Sequence, residues 1–270
     1  MRVLVVNDLS CVGKCSLSVA LPIISACGVT CDVLPTAILS THTGGFEGYT
    51  FRDLTEDFDG ILAQWKSLGL TFDFLYSGYL GSIAQIELVS RLKDEFLKQD
   101  GLFIVDPVMG DRGKLYKGFT NEFVERMKTL CRKADYILPN LTEACALTSL
   151  PYPQTDGNRL IDALSNLCKR PVVTGILEKN TVAVYYAGET GKTEKYVSEN
   201  VEGFFHGAGD VFASAFVGAL ARGKEEKTAI TLAADFAHDC IRRSASEVAD
   251  KRYGLNFEVE ILPFLKKLNG

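Results

Sequence analysis

The residues able to do chemistry fall into three short acidic segments. Gly207-Ala-Gly-Asp210 stands directly before a run of small and apolar residues that reads as a helix, Val211-Phe-Ala-Ser-Ala-Phe-Val-Gly-Ala-Leu220. Glycines let a backbone approach a ligand closely, and the free N–H groups at a helix N-terminus attract an anion such as phosphate. Asp210, in the first turn, then lies beside whatever those amides hold. Asp106-Pro-Val-Met-Gly-Asp111 and Asn140-Leu-Thr-Glu143 each follow an apolar run of strand length, which puts Asp106, Asp111 and Glu143 at strand ends. Carboxylates gathered near a phosphate suit Mg²⁺ bridged to nucleotide oxygens. Each segment also has an ordinary structural reading, with Asp210 or Asn140 as a helix cap. Their shared position after strands favours the chemical one.

Other segments say less. His42 lies in a His-Thr-Gly-Gly loop and Tyr79 in Ser77-Gly-Tyr-Leu-Gly81. A loop histidine is commonly a hydrogen-bonding surface residue and a loop aromatic a packing one. Asp8-Leu-Ser-Cys-Val-Gly-Lys-Cys15 imitates a P-loop, but Asp8 stands where glycine is needed and Cys15 where a magnesium-binding hydroxyl is needed. The match fails. Asp8 and Ser10, at the end of the first strand, suit a neutral, polar substrate instead.

These segments are positioned by alternating elements. Apolar runs predict strands at 2–6, 31–39, 72–76, 102–105, 136–138 and 172–174, then a hairpin of 182–186 with 193–197. Helical periodicity predicts helices at 13–27, 55–68, 82–97, 121–132, 141–148, 157–168, 208–221, 227–244 and 259–268. The expected fold class is α/β, one three-layer αβα domain over residues 1–270 with a mostly parallel central sheet. Ligands of such sheets bind at the carboxyl ends of the strands.

Composition agrees. The chain has 270 residues, 47% hydrophobic and 23% charged, which excludes a disordered or disulfide-stapled chain. A net charge of −5 with no basic stripe argues against nucleic-acid binding. The 8 cysteines lie mostly inside apolar patterns and read as reduced thiols. The opening apolar run is too short for a signal or a membrane span, so the expectation is a cytoplasmic protein with no membrane partner.

Taken in order, Ser40-Thr-His-Thr-Gly44, Ser77-Gly-Tyr-Leu-Gly81, Asp106-Pro-Val-Met-Gly-Asp111, Asn140-Leu-Thr-Glu143 and Gly207-Ala-Gly-Asp210 resemble the ribokinase-like superfamily, and more closely the pyridoxal kinases. The resemblance runs from Val3 to about Ser244. It implies a ribokinase-like fold and transfer of a phosphoryl group from ATP to the 5′-hydroxymethyl of pyridoxal, pyridoxamine or pyridoxine. By motif position it implies Asp210 as catalytic base, with Gly207, Ala208 and Gly209 as the anion hole. Asp106 and Glu143 match positions that organise Mg²⁺ through water, and Asp111, Tyr116, Asn140 and Thr174 match nucleotide-phosphate contacts. Thr43 matches the residue that reaches the pyridine ring, flanked by His42 and Tyr79, and residues 110–117 match a lid over the phosphates. Family members need Mg²⁺, are often helped by K⁺ and are commonly homodimers.

The chain also departs from that pattern. Asn7-Asp-Leu-Ser10 replaces the usual Ser-His stretch and is similar to hydroxymethylpyrimidine kinases, the alternative reading, and Thr41 stands where asparagine is common. A sugar or nucleoside kinase, or a catalytically dead nucleotide-binding regulator, comes further behind. No cysteine lies between Asp106 and Gly118 and the base position is Asp210, unlike the dual-specificity kinases that use two cysteines.

Overall fold

Alternate residues of the first strand enter opposite cores, and the layering follows from that division. In β1 (Arg2–Ser10), Val3 and Val5 join one apolar cluster while Leu4 and Val6 join the other. A computed structural model describes residues 1–247 and 250–270. After β1 come α1 (Leu17–Ala26), β2 (Thr30–Leu39), β3 (Phe51–Asp53), α2 (Phe58–Ser67), β4 (Phe72–Ser77), α3 (Ile83–Phe96) and β5 (Leu97–Val105). A short hairpin, β6 (Gly110–Asp111) and β7 (Lys114–Leu115), leads to α4 (Asn121–Cys131), β8 (Tyr136–Ile137), α5 (Leu141–Thr148) and α6 (Gly157–Leu164). The remainder is β9 (Arg170–Glu178), β10 (Thr181–Ala187), β11 (Thr193–Glu199), α7 (Ala208–Ala221), α8 (Glu226–Glu247) and α9 (Ile261–Asn269).

Nine strands form one sheet in the order β11-β10-β9-β8-β5-β4-β1-β2-β3. The central pairs from β2 through β9 are parallel, and β3, β10 and β11 extend the two edges antiparallel. Helices α1, α7, α8 and α9 supply the cluster on one face, and α2 to α6 supply the other. This is the mostly parallel α/β sandwich expected from strand–helix alternation. Among the described residues no helix is long and apolar enough to cross a membrane.

Several boundaries differ from the sequence expectation, each for a local reason. β1 continues through Asn7 and Asp8 to Ser10, so these polar residues belong to the strand itself and are buried. α1 begins at Leu17 rather than at residue 13, because Gly13 and Ser16 both take positive φ (99° and 55°). β9 runs past the expected residue 174 to Glu178. The bounds expected for α5 and α7 match.

α7 carries the Gly207-Ala-Gly-Asp210 motif at its start and runs through the middle of its core. Every residue from Val211 to Ala221 is buried, and the Phe216 ring packs edge-on to Tyr136 at 5.2 Å between centroids. Phe216→Ala leaves a cavity at that point and is expected to cost about 3–5 kcal/mol in urea-induced unfolding. A cost under about 1 kcal/mol would show that α7 is not anchored by this ring.

Candidate active site

A cavity of about 300 Å³ opens where β1, β4, β5, β8 and β9 end. Eleven of the sequence-selected residues line it: Tyr79, Asp106, Asp111, Tyr116, Asn140, Glu143, Thr174, and the four of Gly207-Ala-Gly-Asp210. Asp8, Ser10, His42 and Thr43 do not.

The turn before α7 depends on one glycine. Gly207 precedes α7 with φ 79°, and a Cβ there would stand 2.2 Å from the Lys14 carbonyl oxygen. Both conditions require glycine. No side chain caps this helix, so its first amides keep their hydrogen-bonding capacity for a ligand.

Glu143 fills two roles at once. Its Oε2 accepts from the Asn140 N–H at 2.9 Å while the Asn140 side chain accepts from the Glu143 N–H at 3.0 Å, a complete capping box. Its Oε1 accepts from the Met109 N–H at 3.0 Å, and Asn140 Nδ2 donates to the Gly110 carbonyl at 2.9 Å. The capping reading of this motif is therefore correct, and the same carboxylate still faces the cavity. Two loops, after β5 and after β8, are fastened through this one residue.

Asp106 is held by its backbone, whose N–H donates to the Ser77 carbonyl at 2.8 Å. Among the described residues neither Asp106, Glu143 nor Asp210 forms an ion pair with a Lys, Arg or His. Burial pushes the Asp106 and Glu143 carboxyls up, and the negative charges of neighbouring carboxylates add to this. The backbone N–H groups on Glu143 pull its value back toward the ionised form.

Asp210 stands in the first turn of α7. Burial pushes it up to about 7 and the charge of Asp8 adds to that, while the Ser16 N–H and the Asn7 amide oppose it.

Asn7 is a site residue that motif reading passed over. It is fully buried, its Oδ1 accepts from the Tyr79 N–H at 2.8 Å and the Asp8 N–H at 3.0 Å, and its Nδ2 lacks a close partner. A Cβ on Gly78 would stand 2.2 Å from that Nδ2, so Gly78 makes room for the amide. A lone polar residue ending the run Val-Leu-Val-Val was the available signal. His206, directly before Gly207, also lines the cavity and was passed over; burial pushes its pKa down, and the positive charge of Arg112 adds to this.

The four remaining residues are placed nearby. The Asp8 carboxylate is buried, accepts from Ser10 Oγ at 3.2 Å and is pushed up by burial. His42 is buried with both ring nitrogens engaged, Nδ1 by the Gly44 N–H at 3.1 Å and Nε2 by the Arg252 carbonyl at 2.5 Å. Thr43 next to it is exposed. A second, largely apolar hollow of about 240 Å³ adjoins the cavity at Thr174, Gly175, Ala208, Gly209 and Phe212.

The phosphomethylpyrimidine kinase family profile matches residues 21–255. The chain is 32% identical to a pyridoxine kinase from Bacillus subtilis over 202 residues, 70% of this chain and 71% of that relative. The chain belongs to this family, in its pyridoxal kinase branch. Its fold is similar to that of pyridoxal kinase from Lactobacillus plantarum, with a TM-score of 0.92 at 33% identity, covering 98% of this chain and 96% of that one. A Bacteroides thetaiotaomicron protein described as a phosphomethylpyrimidine kinase, in a crystal form with pyridoxal, gives a TM-score of 0.90 at 35% identity, covering 100% and 96%. As a pyridoxal kinase relative, the chain is a phosphotransferase with an alcohol acceptor, built on the ribokinase-like α/β fold.

The electrostatics of Asp210 set an expected pH profile. With its value pushed up to about 7, kcat/KM should rise with pH through that region as the carboxyl ionises. Asp8 contributes to the upward push, so Asp8→Asn should move this limb to lower pH. A limb that stays in place, or a flat profile over about pH 5–9, would contradict the coupling.

Proposed function

We propose that the cavity transfers the γ-phosphoryl group of ATP to the 5′-hydroxymethyl oxygen of a B6 vitamer. The observation that carries this reading is Asp210 in the first turn of an uncapped helix, facing buried Asp106 and Glu143 across one cavity. Phosphoryl transfer is mostly positioning and charge stabilisation. The amides of Gly207, Ala208 and Gly209 receive the γ-phosphoryl oxygens. Asp210, with the Asn7 amide and the Ser16 N–H favouring its ionised form, orients the hydroxyl and takes its proton as the new P–O bond forms and the bond to the ADP oxygen breaks. Asp111, Tyr116, Asn140 and Thr174 line the phosphate side, and the adjoining apolar hollow suits the nucleotide base. Residues 110–117, the β6–β7 hairpin and its flank, serve as the lid.

Buried acids with no basic partner fit a divalent cation. Among the described residues no group of three or more His, Cys, Asp or Glu could hold a metal ion directly. Asp106 and Glu143 therefore fit Mg²⁺ held through water and through phosphate oxygens. When bound, Mg²⁺ would offset charge on the nucleotide and on the transferring group.

The choice of a vitamer is supported by the names of the similar proteins and by the pyridoxal in one of those structures. Asp8, Ser10, His42, Thr43 and Tyr79 form the vitamer side in this reading. The buried His42 ring shapes the loop that presents Thr43. K⁺ assistance, a homodimer, one catalytic domain over residues 1–270 and a cytoplasmic setting belong to the same proposal. Eight cysteines without disulfides support a reducing compartment.

Asp210→Asn keeps the shape of the side chain and removes the base. It is expected to lower kcat by roughly 10²–10⁴ while leaving nucleotide affinity nearly intact. Retention of more than about a tenth of the wild-type kcat takes Asp210 out of the mechanism. Glu143→Gln preserves a capping box, which accepts Gln as well as Glu. It should raise the Mg²⁺ concentration giving half-maximal rate and leave the vitamer KM close to wild type. An unchanged Mg²⁺ titration would reduce Glu143 to a helix cap.

A further inference from the structure

The cavity has a charge imbalance that its own lining does not resolve. Four carboxylates line it, Asp106, Asp111, Glu143 and Asp210, and among the described residues no lysine or arginine does. A site of that sign is asked to hold a polyphosphate and to stabilise the extra charge that develops on its terminal group. Metal bound through water neutralises part of this, but a mobile metaphosphate-like group is best met by donors in a planar fork.

One guanidinium stands at the rim. Arg112 sits at the turn of the β6–β7 hairpin with φ 51°, a left-handed conformation that a non-glycine residue adopts only when its surroundings hold it there. Here the holding contacts are visible. The Arg112 N–H donates to Asp111 Oδ1 at 2.8 Å and the next N–H, of Gly113, donates to Thr142 Oγ1 at 2.9 Å. The guanidinium rests 3.6 Å from the ring centroid of Phe204 and is 64% exposed, 3.9 Å from the Asp111 carboxylate. Asp111 and Phe204 are both cavity-lining residues. Arg112 is therefore fixed at its backbone, exposed at its head, and in contact with two residues that line the cavity.

We propose that Arg112 is a catalytic residue of the phosphoryl transfer, turning from Phe204 onto the γ-phosphoryl oxygens of the bound nucleotide. Phe204 is its resting place, where the flat guanidinium is retained beside the site by the aromatic face. This rests on the phosphoryl-transfer reading above but not on the identity of the acceptor.

The test uses two substitutions with opposite losses. Arg112→Gln keeps a planar, polar head and much of the volume but loses the charge; Arg112→Lys keeps the charge and loses the fork and much of the stacking. With the full chain, the expected result is that Arg112→Gln lowers kcat by about 10²–10³ with little change in vitamer KM. Arg112→Lys should recover at least about tenfold of that loss. In direct binding without a vitamer, Arg112→Gln should weaken a non-hydrolysable ATP analogue about tenfold while leaving ADP unchanged, since only the triphosphate offers the terminal group. The proposal is overturned if Arg112→Gln stays within about threefold of wild type in kcat. It is equally overturned if both substitutions fall together, or if ADP and the triphosphate analogue weaken alike, because the contact with Phe204 would then be structural. A wild-type chain that binds neither nucleotide would instead remove the phosphoryl-transfer reading itself.

Discussion

Asp106, Glu143 and Asp210 are carried into one cavity that, among the described residues, no lysine or arginine lines, and much of the surrounding structure exists to hold that unfavourable arrangement. Desolvation of unpaired carboxylates is costly, and it shows as the upward push on all three groups. The compensation comes from backbone N–H groups rather than from cations. Glu143 takes three of them from two loops, and the Ser16 N–H favours the ionised form of Asp210. Such a site stays acidic and hungry for positive charge, which is what a magnesium–nucleotide complex brings.

Holding those groups constrains residues far from the chemistry. Asn7 ties β1 to the residue that follows β4, and Gly78 exists in the form it does because any side chain would collide with that amide. Gly207 is fixed in the same way by the Lys14 carbonyl. Each of these is a backbone solution to an electrostatic requirement. The small, fully buried residues of α7 let the motif ride on a helix packed into the core along most of its length.

Legibility in the sequence followed the range of the interactions involved. α5 and α7 could be bounded from their residues because their starts are written locally, in Asn140-x-x-Glu143 and in Gly207. The continuation of β1 was hidden because Asn-Asp-Leu-Ser has the composition of a turn, and only pairing with β2 shows it to be strand. The start of α1 was hidden by Ser16, whose positive φ breaks a helical pattern that otherwise begins at residue 13. The site residues that the cavity brings together were readable as strand-end polar groups. The setting of His42 was not, since its partner Arg252 lies 210 residues away. Asn7, His206 and Arg112 carry no motif of their own and acquire meaning only beside Asp210, Gly207 and Phe204.

Burial pushes Asp106, Glu143 and Asp210 toward protonation, and a cation-bearing nucleotide should shift them toward the ionised form. Calorimetry of ADP binding in buffers of different ionisation enthalpy, with and without Mg²⁺ near neutral pH, measures this as a count of protons exchanged. Binding with Mg²⁺ should be tight and should release protons into the buffer, and binding without Mg²⁺ should be weak and release none. Equal affinity in both conditions with no proton release would contradict the account.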